Sequence, residues 1–188
     1  MWKAAFFILL ALVIISIAGL WIWVDQNLTV EETESFTAPE IENVEGPSFL
    51  VSATREDANA WLQRELEEEE DADDFILTID DAVYFETSLT VFGMNIPLEV
   101  DFQPEVSEDG NIWLREDGFR LGALELPAAQ IFHLIGDNID LPEWISVAPN
   151  ESSLYLNLRE LETEEFVIEA QSVDLENNDI EFRITAAE

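Results

Sequence analysis

The sequence predicts an α+β protein: an N-terminal transmembrane helix, then one highly curved antiparallel sheet of about seven strands wrapped around two short helices. Three observations carry that reading. Apolar residues run almost unbroken from Trp2 to Val24. From Phe75 onward large apolar residues recur at every second position, as in strands with one apolar and one wet face. Helical signals occur in only two places beyond the first span, after Thr54 and after Pro127.

Residues 1–24 read as a membrane anchor. WKAAFFILLALVIISIAGLWIWV carries one charge, Lys3, and a bilayer core needs about 20 mostly apolar residues in helical form. Lys3 precedes the span, while Asp25, Glu31, Glu32 and Glu34 follow it. Basic flanks stay inside, so the expected location is the cell membrane, single-pass, with a cytoplasmic N-terminus and an extracellular C-terminal domain. Trp2 at one end, with Trp21 and Trp23 at the other, suits the two headgroup layers. The alternative is a cleaved secretory signal, since Ser16-Ile17-Ala18 before Gly19 supplies small residues. The apolar run continues through Val24, which favours the anchor.

The chain has no cysteine, which excludes disulfides, thiolate chemistry and zinc–cysteine sites. An exported chain without disulfides fits a Gram-positive surface better than an animal secretory route. Acidic residues number 42 against 7 basic ones, and Lys3 is the only lysine. Nucleic acid and anionic headgroups are repelled by such a surface. The acids spread over linkers, turns and outward strand positions, which points to adaptation to a salty or alkaline exterior before it points to cation binding.

Residues 25–46 are acidic and unpatterned and read as a flexible linker. The domain is placed at 47–188. Asn27-Leu28-Thr29 and Asn150-Glu151-Ser152 match a glycosylation pattern too short to carry weight. Phe49-Leu50-Val51 is a short strand. Thr54 caps a helix, with Asp57 in capping-box position, and Ala58, Trp61, Leu62 and Leu66 form its buried face. The run Glu67 to Asp74 ends it. Asp71, Asp73 and Asp74 do not make a calcium loop, because Phe75 stands where an oxygen ligand is needed and no loop glycine follows.

Strands follow through Phe75, Leu77 and Ile79, then Val83, Phe85, Leu89 and Val91, then Ile96, Leu98, Val100 and Phe102, with a turn at Asp80-Asp81. Asp109-Gly110 marks a hairpin leading to Ile112 and Leu114. Phe119 and Leu121 lie on one parity and Leu124 and Leu126 on the other, so a bulge is expected near Gly122. Pro127 opens a second helix, apolar nearly all round from Ala128 to Ile135 and ending at Gly136. Such a helix must be enclosed by protein or by ligand. Leu154, Leu156 and Leu158, then Phe166, Ile168 and Ala170, and Ile180, Phe182 and Ile184 alternate again, with a turn at Glu176 to Asp179 before the last group.

The apolar side of these strands exceeds what two short helices cover. Either the sheet curls on itself or part of that side stays open, and open apolar grooves rarely exist without a ligand or partner. Outside a membrane the abundant apolar ligand is an acyl chain.

Asp101 to Ile135 (DFQPEVSEDGNIWLREDGFRLGALELPAAQIFHLI), Leu141 to Leu158 (LPEWISVAPNESSLYLNL) and Val167 to Phe182 (VIEAQSVDLENNDIEF) resemble the YpmS family. The most specific piece is Asp109-Gly110 followed by Leu121-Gly122-x-Leu124-x-Leu126-Pro127. The resemblance spans the chain in order and implies a single-span, extracytoplasmic protein of Gram-positive bacteria with no established activity. The chain departs from the family in replacing many lysines with acids. The same Gly-x-Leu-x-Leu-Pro passage, beside long paired strands and an apolar helix, is similar to tubular lipid-binding domains. That similarity implies a curved sheet holding lipid tails.

Catalytic patterns are missing from the sequence. His133, the only histidine, lies between Ile131 and Ile135 without a Gly-x-Ser-x-Gly context or further ligands at helical spacing. It reads as a core or groove-edge residue with a satisfied ring nitrogen. No phosphate loop is present, and no cleft signal selects one carboxylate pair among so many. The expected function is non-enzymatic and cofactor-free: binding of lipid acyl chains in a groove of the curved sheet, as carrier, chaperone or sensor. The expected lining is Phe119, Leu121, Leu124, Leu126, Ile131, Phe132 and Ile135, with Trp61 and Trp144 at the edges. The alternative is a scaffold module docking a partner envelope enzyme.

Overall fold

The computed structural model describes residues 36, 46–68, 75–91, 94–123, 126–161 and 166–186. The expected anchor, all of the linker except Phe36 and Gly46, positions 69–74 with Asp71, Asp73 and Asp74, and Leu124 lie outside them. Among the described residues no helix is long and apolar enough to cross a membrane.

The elements in order are β1 (Ser48–Ala53), α1 (Arg55–Glu68), β2 (Phe75–Ile79), β3 (Val83–Val91), β4 (Met94–Val106), β5 (Ile112–Leu121), α2 (Ala128–Asn138), β6 (Ile145–Ala148), a 3-10 turn (Pro149–Glu151), β7 (Ser153–Leu156), β8 (Phe166–Asp174) and β9 (Asp179–Ala186). The α+β class holds, but the single sheet of about seven strands does not. A six-stranded sheet, β2-β3-β4-β5-β7-β6, curls into a half-barrel, and a separate three-stranded sheet runs β1-β9-β8. All pairings are antiparallel. Alternation reveals which side chains share a face, not which strands exchange hydrogen bonds. The first strand therefore pairs with the last, Ser48 opposite Thr185, and the short β6 carries too little alternation to be seen.

The main sheet turns one apolar face inward, with Phe85, Leu89, Leu98, Val100, Phe102 and Leu114 all buried. Its bulge lies earlier than expected. Phe102 pairs with Glu116 and Asp101 with Gly118, so Asp117 is the extra residue. This insertion moves the inward parity from Ile112 and Leu114 to Phe119 and Leu121. Gly122 instead sits in the turn that ends β5, at φ 52°, its N–H bonded to the Pro97 carbonyl at 3.0 Å.

The capping box of α1 is present: Asp57 N–H donates to Thr54 Oγ1 at 3.2 Å, and Thr54 N–H to Asp57 Oδ2 at 3.1 Å. Ala58, Leu62 and Leu66 are buried as the spacing predicts. Helix α2 runs through Gly136 to Asn138, because Ile139 N–H still bonds to the Ile135 carbonyl at 2.9 Å. Ile131, Phe132 and Ile135 are fully buried, with Phe132 edge-on to Phe102 at 5.9 Å, so protein covers one face of this helix, while Gly136 to Asn138 are exposed. The excess apolar face of the main sheet gains a third cover, the small sheet, through Ala170, Leu175 and Ile180.

Candidate functional site

Helix α1, the main sheet and the small sheet do not close completely. Ala58, Trp61 and Leu62 from α1, Leu77, Val83, Leu114 and Leu156 from the main sheet, and Ile180 and Phe182 from β9 face an interior hollow of about 70 Å³. Every side chain bordering it is apolar. A void of that chemistry stays dry, since water needs polar partners.

A second hollow opens to the surface beside it. This groove of about 280 Å³ runs between α1 (Asp57, Ala58, Trp61) and the small sheet (Val51, Ala53, Ile168, Phe182, Ile184). The two hollows share Ala58, Trp61 and Phe182 as common walls. Register explains the apolar floor. Phe49 pairs with Ile184 and Ile184 with Ile168, while Val51 pairs with Phe182 and Phe182 with Ala170. Directly paired residues project to the same side, so three strands present one apolar surface. Helix α1 covers its inner end and leaves the outer end open, where Phe49 is 60% and Phe166 42% exposed. Among the described residues the groove's sole charged neighbour is Asp57. Hydrogen bonds from the Thr54 side chain and backbone hold its carboxyl below the usual carboxylate range.

Of the residues expected to line a lipid site, Trp61 borders both hollows and Trp144 the interior one. Leu121, Ile131, Phe132 and Ile135 are packed into the core, Phe119 and Leu126 lie half-buried against it, and none of the six borders either hollow. Leu124 lies outside the described residues. Sequence reading missed Val51, Ile168, Phe182, Ile184 and Asp57. The alternation of β8 and β9 was visible, but their union with β1 depends on contacts about 130 residues apart, as between Phe49 and Ile184.

A polar cluster lies at the β4–β5 hairpin. Asp109 accepts hydrogen bonds from Ser107 Oγ, from Asn111 Nδ2 at 3.1 Å and from the Tyr155 hydroxyl at 2.8 Å. Asn111 also donates to Tyr155 at 2.7 Å, and its Oδ1 accepts from Leu158 N–H at 2.9 Å. Burial pushes the Asp109 carboxyl up, but the hydrogen bonds from Ser107, Tyr155 and Asn111 outweigh it and hold the group low. Burial, then the bond to Asp109, pushes the Tyr155 phenol up to about 12. Phe36 packs on this side against Trp113 and Tyr155, ring centroids at 5.3 and 5.1 Å.

His133 is half-buried on α2, and its Nε2 is buried without a hydrogen-bond partner. Among the described residues no group of three His, Asp or Glu side chains is placed to hold a metal.

The sequence profile of DUF2140, described as an uncharacterized protein conserved in bacteria, matches residues 1–186. The chain is 30% identical over 183 residues to the uncharacterized protein YpmS of Bacillus subtilis (strain 168), across 96% of this chain and 95% of that one. No solved structure matches it.

Proposed function

The chain belongs to the DUF2140 family, and from its groove we propose that it is a membrane-anchored envelope protein that binds a lipid acyl chain without catalysing a reaction. The observation that carries this reading is the apolar groove beside Trp61 and Phe182, which shares those walls with a dry interior hollow. An acyl chain laid there removes its own apolar surface and that of the groove from water, at about 25 cal/mol per Å². The groove has the apolar character of small-molecule sites, with its polar group confined to the rim. Residues 1–24 supply the anchor, with the N-terminus cytoplasmic and the domain outside. A carrier, chaperone or sensor of envelope lipid needs this combination: a chain-sized slot held near the membrane.

Phe36–Glu188 forms one compact unit, and this unit is the material for the test. Mass spectrometry of organic extracts from it, purified without detergent, is expected to reveal co-purified acyl lipid. Extracts free of lipid, with no uptake of added fatty acid, would sink the reading.

A second reading, a scaffold docking an envelope partner, is favoured by β1. It is an edge strand, with Phe49 60% and Leu50 63% exposed on its opposite faces. Such an edge accepts an added strand. In-cell crosslinking from position 50 is expected to capture a partner protein under this reading, and lipid under the first neither requires nor prevents it.

A further inference from the structure

We propose that the groove selects a single-chain amphiphile with a positively charged polar end, placed against Asp57. This rests on the acyl-binding reading and adds the ligand's headgroup class.

Asp57 is exposed, stands on the first turn of α1 and borders a groove whose other described walls are Val51, Ala53, Ala58, Trp61, Ile168, Phe182 and Ile184. Its two hydrogen bonds to Thr54, one from the backbone and one from the hydroxyl, both fall on Oδ2. The capping box thus fixes the carboxylate in place and keeps it ionised, while its second oxygen takes no part in the cap. Arg55, the nearest cation in sequence, is turned elsewhere, donating to Asp80 at 2.9 Å and to Asn178. A chain lying in the groove therefore brings its polar end toward a fixed negative charge.

The wider field acts in the same direction. With 42 acidic and 7 basic residues, the molecule repels an anionic head and attracts a cationic one over the range of a Debye length. The volume argues for one chain. The groove offers about 280 Å³, and the interior hollow that shares Ala58, Trp61 and Phe182 as walls adds only about 70 Å³.

The test uses the full chain in phosphatidylcholine vesicles at pH 7. Three photoreactive sixteen-carbon probes share one chain and end in an amine, an alcohol or a carboxylate. Labelling of the β9 peptide carrying Phe182 and Ile184 is read by peptide mapping. The amine is expected to label about threefold more than the alcohol, the size of a solvent-exposed ion pair, and the carboxylate least. Asp57→Asn should bring the amine down to the alcohol's level and leave the alcohol unchanged, which also shows that the groove is still formed. Glu67→Gln removes an equal charge ten residues along the helix, about 15 Å away, and should leave the amine's advantage intact.

Equal amine and alcohol labelling in the unaltered chain overturns the headgroup assignment while the acyl groove stands. The same holds if Glu67→Gln abolishes the advantage as fully as Asp57→Asn. Absence of label from β9 with all three probes overturns the assignment together with the acyl-binding reading.

Discussion

The Tyr155 hydroxyl donates to Asp109 Oδ2 at 2.8 Å, tying the tip of the β4–β5 hairpin to β7 across 46 residues of sequence. Tyr155 is 1% exposed and Asn111 2%, while Asp109 is half-buried, so water is kept from the donor end of the bond. Tyr155→Phe should lower unfolding free energy by roughly 1–3 kcal/mol, because it leaves a part-buried carboxylate short of one donor. Urea denaturation at pH 7 measures this, and an unchanged midpoint would show that the bond contributes nothing.

The same pair sets a pH dependence at both ends. The folded carboxyl of Asp109 sits below its ordinary value, so its contribution is present above the unfolded value near 4 and is lost as pH falls through the folded one. The folded phenol of Tyr155 sits at about 12, so its contribution is present below the ordinary value near 10 and is lost as pH rises toward 12. Asp109→Asn should flatten the acid limb of a stability-against-pH curve near pH 4, and Tyr155→Phe the alkaline limb between about 10 and 12.

Gly110 has φ 78°, and a Cβ there would meet Glu169 Cβ at 2.7 Å. Its carbonyl accepts the Ala170 N–H at 2.7 Å, so the hairpin tip is pressed against β8. Gly110→Ala should cost about 1–3 kcal/mol through left-handed strain and that clash together. A thermal melt within a degree of the parent would contradict it.

Phe36 packs edge-on to Trp113, which also meets the Tyr155 ring at 4.8 Å and the Arg115 guanidinium at 4.4 Å. Phe36→Ala should red-shift part of the tryptophan emission and cost about 0.5–1.5 kcal/mol. Unshifted emission would mean that this ring does not shield Trp113 in solution.

Excess negative charge should make folding salt-dependent. Melting temperature is expected to rise between low and molar salt as the Debye length falls to about 3 Å. A flat response in a salt titration would remove self-repulsion as a factor.

Core and groove should respond differently to a buried charge. Ile131 is fully buried, so Ile131→Asp should unfold the domain, at a cost above about 4 kcal/mol. Ile184 is half-buried at the groove, so Ile184→Asp should keep the circular dichroism spectrum and lose bound acyl chain. Lipid retained by a folded Ile184→Asp protein would exclude the groove as its site.

Much of the local structure was legible. Thr54 and Asp57 announced the start of α1, and Asp109-Gly110 announced the hairpin, because caps and tight turns depend on residues three or four apart. The alternation in β3 and β4 named the inward side chains for the same reason. The bulge lies five residues before Gly122, at Asp117, because the parity of Ile112 and Leu114 already differs from that of Phe119 and Leu121. Among the candidate ligand residues, Ile131, Phe132 and Ile135 are strongly apolar and lie in the core. Apolarity alone does not distinguish a side chain covered by protein from one left facing a groove.

The sequence by itself determined the α+β class, the family, the faces of the long strands and the acidic exterior, since each is written in composition or in short-range spacing. Only the tertiary structure decided that β1 closes against β9, that a second sheet covers the apolar face left over by two helices, and where the cover stops. Those outcomes follow from contacts between residues more than a hundred positions apart. Whether Trp61 and Phe182 meet a neighbour or an open groove is settled by how two sheets and a helix fit in space, and no local pattern encodes that fit.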